Sequence, residues 1–232
     1  MSQIKVFALI PMREGISRQT FHDHWRHPHG TWARGISTST RYVQSHRIET
    51  ALLGPEQARF EGIAEVWMET IEDARARRQD PYYEKYILPD EPNFVDRSAL
   101  RFVLTEEEVI QSGAPPGTHA DSADARWKAR DAALAVKLIQ VIEQDGATPW
   151  AAADDKELGY QLRALRHVRS RPYRELHPGG EPPPAAIGFR ELWWPTLSAF
   201  EAAAARAPDA LRTLLKRPAK AFAMLAQAER VI

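Results

Sequence analysis

Arg41-Tyr42-Val43-Gln44-Ser45-His46 and Arg166-His167-Val168-Arg169-Ser170-Arg171 carry Arg, Val and Ser at matching alternate positions, while the residues between them differ. Period two is the mark of a strand, so each segment reads as a strand with one shared and one specialised face. Other pairs follow in the same order. Lys5 to Ile10 resembles Lys137 to Ile142, Glu65-Val66-Trp67-Met68-Glu69-Thr70-Ile71 matches Glu191-Leu192-Trp193-Trp194-Pro195-Thr196-Leu197, and the stretches ending at Val109-Ile110 and Val231-Ile232 close alike. The chain is a faint tandem copy, which restricts it to folds that two similar halves can build together.

Each half reads strand, helix, strand, strand, helical region, strand. In the first half these fall at roughly Gln3–Pro11, Ser17–His27, Thr38–Thr50, Gly62–Thr70, Ile71–Leu88 and Ala99–Ile110. Thr70 and Thr196 are placed to cap the helices that follow each third strand. The order β-α-β-β-α-β is the ferredoxin-like split unit, whose helices cover only one sheet face. The expected class is therefore α+β, two ferredoxin-like repeats packed sheet against sheet. Residues 1–110 form the first domain and 132–232 the second. Between them QSGAPPGTHADSADARWKARD, residues 111–131, lacks apolar periodicity and reads as a linker.

Composition narrows the function classes. With 31 Lys+Arg against 31 Asp+Glu, the chain has no broad positive field, so no nucleic-acid partner is expected. No apolar run approaches the roughly 20 residues of a membrane span, and the N-terminal apolar stretch is too short for a signal peptide. No membrane partner and a cytoplasmic location are expected. With Cys 0, disulfides, a thiol nucleophile and thiolate-held metal are excluded. His22, His24, His27 and His29 suggest a metal site, but they do not converge on one sector of a helical wheel, and none is expected.

Phe21-x-x-His24-Trp25-x-x-x-His29-Gly30, Arg41-Tyr42-Val43-Gln44-x-His46 and Gly62-x-x-Glu65-x-Trp67 together resemble the EthD domain of the dimeric α/β-barrel superfamily. The second half is a degenerate copy, with Pro149-Trp150-Ala151-Ala152-Ala153 where the helix motif would fall. The resemblance implies an intramolecular dimeric α/β barrel within one chain, as a monomer or a homodimer. It implies no single reaction, since the superfamily includes isomerases, cofactor-free monooxygenases, haem enzymes and proteins without assigned activity.

On a helix Phe21 and Trp25 share the buried face, flanked by His24, Pro28 and His29, while His22 and His27 point outward. In the second strand Val43 and Ser45 read as helix-facing, answered by Val168 and Ser170. That would leave Tyr42, Gln44 and His46, with His167, Arg169 and Arg171, facing the barrel interior. In the third strand Val66 and Met68 read as helix-facing and Glu65, Trp67, Glu191 and Trp193 as interior. The barrel interior is thus the expected cavity, walled by Phe7, Leu9, Trp67 and Trp193.

His46 and Tyr42 would form an acid–base pair, with Glu65 as orienting carboxylate and His29 at the mouth. Gln44, His167, Arg169, Arg171 and Glu191 would contact the substrate. With no phosphate loop or dinucleotide fingerprint, cofactor-free proton transfer on a small aromatic, lactone or polyketide-like substrate is the simplest reading, of lyase (dehydratase) or isomerase type. Haem binding, cofactor-free monooxygenation and a non-catalytic accessory or ligand-binding role are the alternatives. A purely structural alternative makes Glu65 and Glu191 ion-pair partners across the two halves.

Overall fold

A computed structural model of the protein describes residues 4–113, 134–173 and 186–232. Eight strands close an antiparallel barrel: β1 Ile4–Ile10, β2 Arg41–Ile48, β3 Gly62–Met68, β4 Arg101–Ser112, β5 Leu134–Gln144, β6 Arg166–Pro172, β7 Gly188–Trp194 and β8 Lys220–Arg230. Their order around the barrel is β1-β3-β2-β8-β5-β7-β6-β4. The first half therefore supplies β4-β1-β3-β2, the second repeats that order as β8-β5-β7-β6, and β2·β8 and β4·β6 are the seams. Closure removes every sheet edge. The expected linker begins too early: Gln111 and Ser112 end β4, where they pair with His167 and Arg166, and the rest of it from 114 on lies outside the described residues.

Helices α1 Arg18–His24, α2 Gly30–Ala33 and α3 Ile71–Ala76 belong to the first half, and α4 Asp155–Gln161, α5 Leu197–Arg206 and α6 Pro208–Lys216 to the second. Thr70 caps α3 in a reciprocal box with Asp73, and the Thr196 hydroxyl accepts from the Ala199 amide at 3.1 Å. Between α1 and α2 the backbone leaves helical geometry at His27 (φ −149°, ψ 117°), the residue before Pro28. Two apolar clusters lie between barrel and helices, one around Phe21, Trp25, Val66 and Phe94, the other around Leu138, Leu192, Trp194 and Phe200.

The barrel interior is filled rather than hollow. At one end Phe7, Leu9, Ile63, Ile139, Phe189 and Met224 pack together, with the Phe7 and Phe189 rings stacked at 4.0 Å. At the other, four fully buried charges from both halves form a closed ring. Lys5 contacts Glu65 at 2.9 Å and also Glu191, while Lys137 contacts Glu65 at 2.5 Å and Glu191 at 3.3 Å. Burial alone would raise the Glu65 carboxyl, but Lys137 and Lys5 outweigh it and hold the group below the usual carboxylate range. Glu191 goes the other way: burial and the neighbouring Glu65 charge push it up to about 7. Trp67 and Trp193 flank the ammonium groups, each 4.5 Å from a lysine nitrogen.

Strand pairing corrects the face assignment of β2 and β6. Residues directly opposite in a ladder share a face. Val43 lies opposite Glu65 and Ser45 opposite Ile63, so Val43 and Ser45 are interior, with Ser45 donating to Glu65 at 2.9 Å. Tyr42, Gln44 and His46 consequently face the helices. The same parity sets Val168 opposite Glu191 and turns His167 and Arg169 outward. The faces expected for β3 and β7 match the structure.

Candidate functional site

A cavity of about 60 Å³, open to solvent, lies between the outer face of the first half's sheet and its helices. Its floor is Val6, Ala8, Ile10, Ala64 and Val66; its roof includes Trp25, Ala33, Tyr83 and Phe94; and its polar groups are His29, Tyr42, Arg77 and Glu91. Two features make room. Ala8 and Ala64 present only methyl groups at the centre of the sheet, and Trp25 sits on Gly62, where a Cβ would come within 2.3 Å of the indole.

His29 is buried, and its Nδ1 lies 2.9 Å from Asp90 Oδ2, while His24 Nε2 lies 2.7 Å from Asp90 Oδ1. A carboxylate only accepts, so it fixes the proton on His29 Nδ1 and leaves Nε2 as the free lone pair in the neutral ring. Burial would raise the Asp90 carboxyl, but the hydrogen bonds to His29 and His24 outweigh it and keep the carboxylate ionised. The Phe94 ring packs at 4.9 Å from the His29 ring.

Tyr42 is fully enclosed. Its oxygen accepts from Trp25 Nε1 at 3.0 Å and from Gln44 Nε2 at 3.0 Å, so its own proton remains for a third partner. Burial pushes its pKa up to about 12, although Gln44, Trp25 and the Arg77 charge pull the other way. Tyr42 is thus a neutral donor at physiological pH. Arg77 donates to Ser39 at 2.5 Å, and among the described residues no carboxylate lies within ion-pair distance of it. Glu91 is already engaged by Tyr83 at 2.8 Å and Arg97 at 3.3 Å.

The structure redistributes the residues singled out in the sequence. His29 and Tyr42 line one cavity; Gln44 lies just behind it. His46 does not line it: its Nδ1 meets His22 Nδ1 at 2.8 Å and its Nε2 meets Gln44 Oε1 at 3.2 Å. Burial, with Arg26 and His22, pushes the His46 pKa down to about 2, so it stays neutral. Glu65 cannot orient His46, because it lies on the opposite face of the sheet. His22 turns inward instead of outward, bridging His46 and Glu61, whereas His27 is exposed as expected and meets Thr31 at 2.6 Å.

Phe7, Leu9, Trp67, Glu191 and Trp193 belong to the packed interior. His167 is buried under the second helix layer, Arg169 pairs with Glu108 and Asp155, and Arg171 packs over the Trp150 ring. Sequence reasoning missed Asp90, which lies in a turn, Arg77, at the C-terminal end of α3, and the two alanines, whose contribution is an absent side chain.

Residues 13–98 match the family model of the EthD domain, a span that includes Trp25, His29, Tyr42, Ala64 and Arg77 of the cavity. Decarboxylase nsrE from Aspergillus novofumigatus (strain IBT 16806) is 23% identical over 114 residues, covering 44% of this chain and 76% of that protein. Among solved structures, an anthrone oxidase-like protein superposes with a TM-score of 0.54 at 12% identity, covering 100% of this chain and 94% of the other. A monooxygenase-like protein of Fusobacterium nucleatum superposes with a TM-score of 0.53 at 6% identity, covering 100% and 93%. At such identities the structures share the barrel fold alone.

Proposed function

We propose that the cavity carries out cofactor-free proton transfer on a small, flat, largely apolar substrate, in a reaction of lyase or isomerase type. The observation that carries this reading is the Asp90–His29 pair, 2.9 Å apart, in the same cavity as the Tyr42 hydroxyl. His29 Nε2 takes or returns the proton, with Asp90 holding the ring and balancing the imidazolium charge. Tyr42 donates to the substrate oxygen on which negative charge develops, and the Arg77 guanidinium adds electrostatic support. The apolar floor and roof exclude water and suit an aromatic or polyketide-like ring system.

The similarity to a decarboxylase favours a lyase. In that version the C–C bond to the carboxylate breaks, its electron pair delocalises onto a conjugated oxygen held by Tyr42, and protonated His29 delivers the proton to carbon. Water elimination and isomerisation would use the same groups. The test is a panel of hydroxyaryl and polyketide-type compounds, with and without a carboxylate, assayed without oxygen and with a chelator present. Turnover that persists under these conditions and is lost in His29→Gln supports the reading. Turnover that needs oxygen, or that His29→Gln leaves intact, defeats it.

A further inference from the structure

We propose that Arg77 makes the cavity selective for acids: its guanidinium takes the carboxylate of an aromatic or polyketide-type acid, and a neutral analogue of the same shape binds more weakly. The inference rests on reading that cavity as the working site, and adds the charge of what enters it. Among the described residues that line the cavity, Arg77 is the single Lys or Arg. The other polar groups are the side chains of His29, Tyr42, Tyr83 and Glu91, in a lining that is otherwise apolar.

A charge taken out of water is costly unless an opposite charge or hydrogen bonds compensate it. Arg77 is compensated only in part. Its Nη1 donates to the Ser39 hydroxyl at 2.5 Å, and the guanidinium carbon lies 5.7 Å from the centre of the Tyr83 ring. Burial outweighs the pull of Tyr83, Tyr42, Asp80 and Glu91 and leaves the Arg77 pKa below its ordinary value, yet a guanidinium stays charged at neutral pH. The carboxylates nearby are engaged elsewhere. Asp80 accepts from the Tyr82 amide at 2.8 Å, and Glu91 accepts from Tyr83 at 2.8 Å and from Arg97 at 3.3 Å. An incoming anion would therefore meet a cation that water no longer fully solvates and that no carboxylate among the described residues pairs with.

Charge and shape choose the anion. A planar carboxylate accepts the parallel bonds that a guanidinium fork offers. A phosphate monoester carries nearly twice the charge, and Glu91 in the same lining would repel it while Arg77 alone attracts it. His29 adds no donor to hold such a group, since its neutral ring keeps a lone pair on Nε2. The second half shows that the fold does not require a cation here. Arg77 stands seven residues after its capping Thr70, and seven residues after the capping Thr196 stands Ala203, buried in the apolar cluster of that half.

The experiment uses the full chain with benzoate, benzamide and phenyl phosphate as probes, and reads dissociation constants from tryptophan fluorescence at pH 7. Benzoate should bind the wild type about ten- to hundredfold more tightly than benzamide, the scale of hydrogen bonds to a charged group, and phenyl phosphate should bind more weakly than benzoate. Arg77→Met should remove the preference, lowering benzoate affinity while benzamide affinity is kept. Its melting temperature should hold or rise, because a poorly compensated cation is gone. Arg77→Lys, charged but without the fork, should keep part of the preference. A merely structural role would instead lower the melting temperature of Arg77→Met and weaken both probes alike.

Equal affinity of benzoate and benzamide for the wild type, tighter binding of phenyl phosphate, or a preference that survives Arg77→Met would overturn the proposal and leave the cavity standing as the working site. Ala64→Leu separates the two readings, since blocking the cavity should abolish binding of every probe. Probes that bind this variant as they bind the wild type, or that bind neither protein, would overturn the working-site reading and the selectivity with it.

Discussion

Ala8 and Ala64 face the helix layer of the first half, and the strand positions that answer them in the second half carry Gln140 and Arg190. Where the alanines leave a cavity, the larger pair fills it: Arg190 Nη1 donates to Gln140 at 2.8 Å and Nη2 to Asp155 at 3.0 Å. Arg169 and Arg217 close on the same Asp155 at 3.1 and 2.7 Å. Yet the scaffold is shared. Trp150 rests on Gly188 as Trp25 rests on Gly62, a Cβ on Gly188 coming within 2.1 Å of the Trp150 ring. Inside the barrel the halves contribute alike, one Lys, one Glu and one Trp each to the charged layer. The difference teaches that both halves supply what closes the barrel, while the second fills the space that stays open in the first.

The sharpest way to break this comparison is to remove one histidine from each half. His29→Gln should lower turnover by about 10²–10⁴-fold, as for loss of a general acid–base group. His167→Gln, under the filled layer, should leave turnover within about twofold in the same assay. Comparable losses from both would mean that the second half also holds a working site.

The charged layer gives the next largest effect. Glu65→Gln leaves Lys137 and Lys5 under-compensated in a fully buried site and should destabilise the fold by about 3–5 kcal/mol in urea unfolding. Glu191→Gln should cost less, because its carboxyl, already pushed up to about 7, is partly protonated at neutral pH. Neither should change ligand affinity beyond what reduced stability explains, since both side chains lie on the far side of the sheet. A specific loss of affinity in Glu65→Gln would restore the carboxylate to the site.

Copying the filled state tests the role of the alanines. Ala64→Leu should block the cavity, abolishing detectable ligand binding, while overpacking costs about 1–3 kcal/mol or less where open space absorbs the side chain. Unchanged affinity would show that ligands bind elsewhere. The smallest effect concerns acid stability. The Glu61 carboxyl, which burial alone would raise, is brought down to about 2 from its ordinary 4.5 by His22, Arg18 and Arg47. A depressed carboxylate contributes stability that is present above its unfolded pKa and lost as pH falls through the folded value. Melting temperature should therefore drop between about pH 4.5 and 2, and Glu61→Gln, lower at neutral pH, should flatten part of that decline.

The strands themselves and the capping residues Thr70 and Thr196 were legible, because each rests on local pattern. So was the membership of each strand face, since period two alone sorts Tyr42, Gln44 and His46 from Val43 and Ser45. Which face lies inside was not legible. That depends on register: Val43 sits opposite Glu65, so the small Val and Ser of β2 belong with the charged interior and the polar trio with the helices. Expecting polar residues to gather in one lumen failed because two lysines on β1 and β5, Lys5 and Lys137, neutralise the glutamates there.

By itself the sequence determined a strand-rich α/β pattern, and that the histidine-rich helix belongs to the first half alone. Tertiary structure decided where the cavity lies, which histidine faces it and what holds that histidine in place. Asp90 comes to His29 from a distant turn, and Arg77 to Tyr42 from the end of α3, and no local pattern announces either meeting. The cavity itself is made by two missing side chains on neighbouring strands. Contacts between distant segments, and empty space, exist only once the chain has folded.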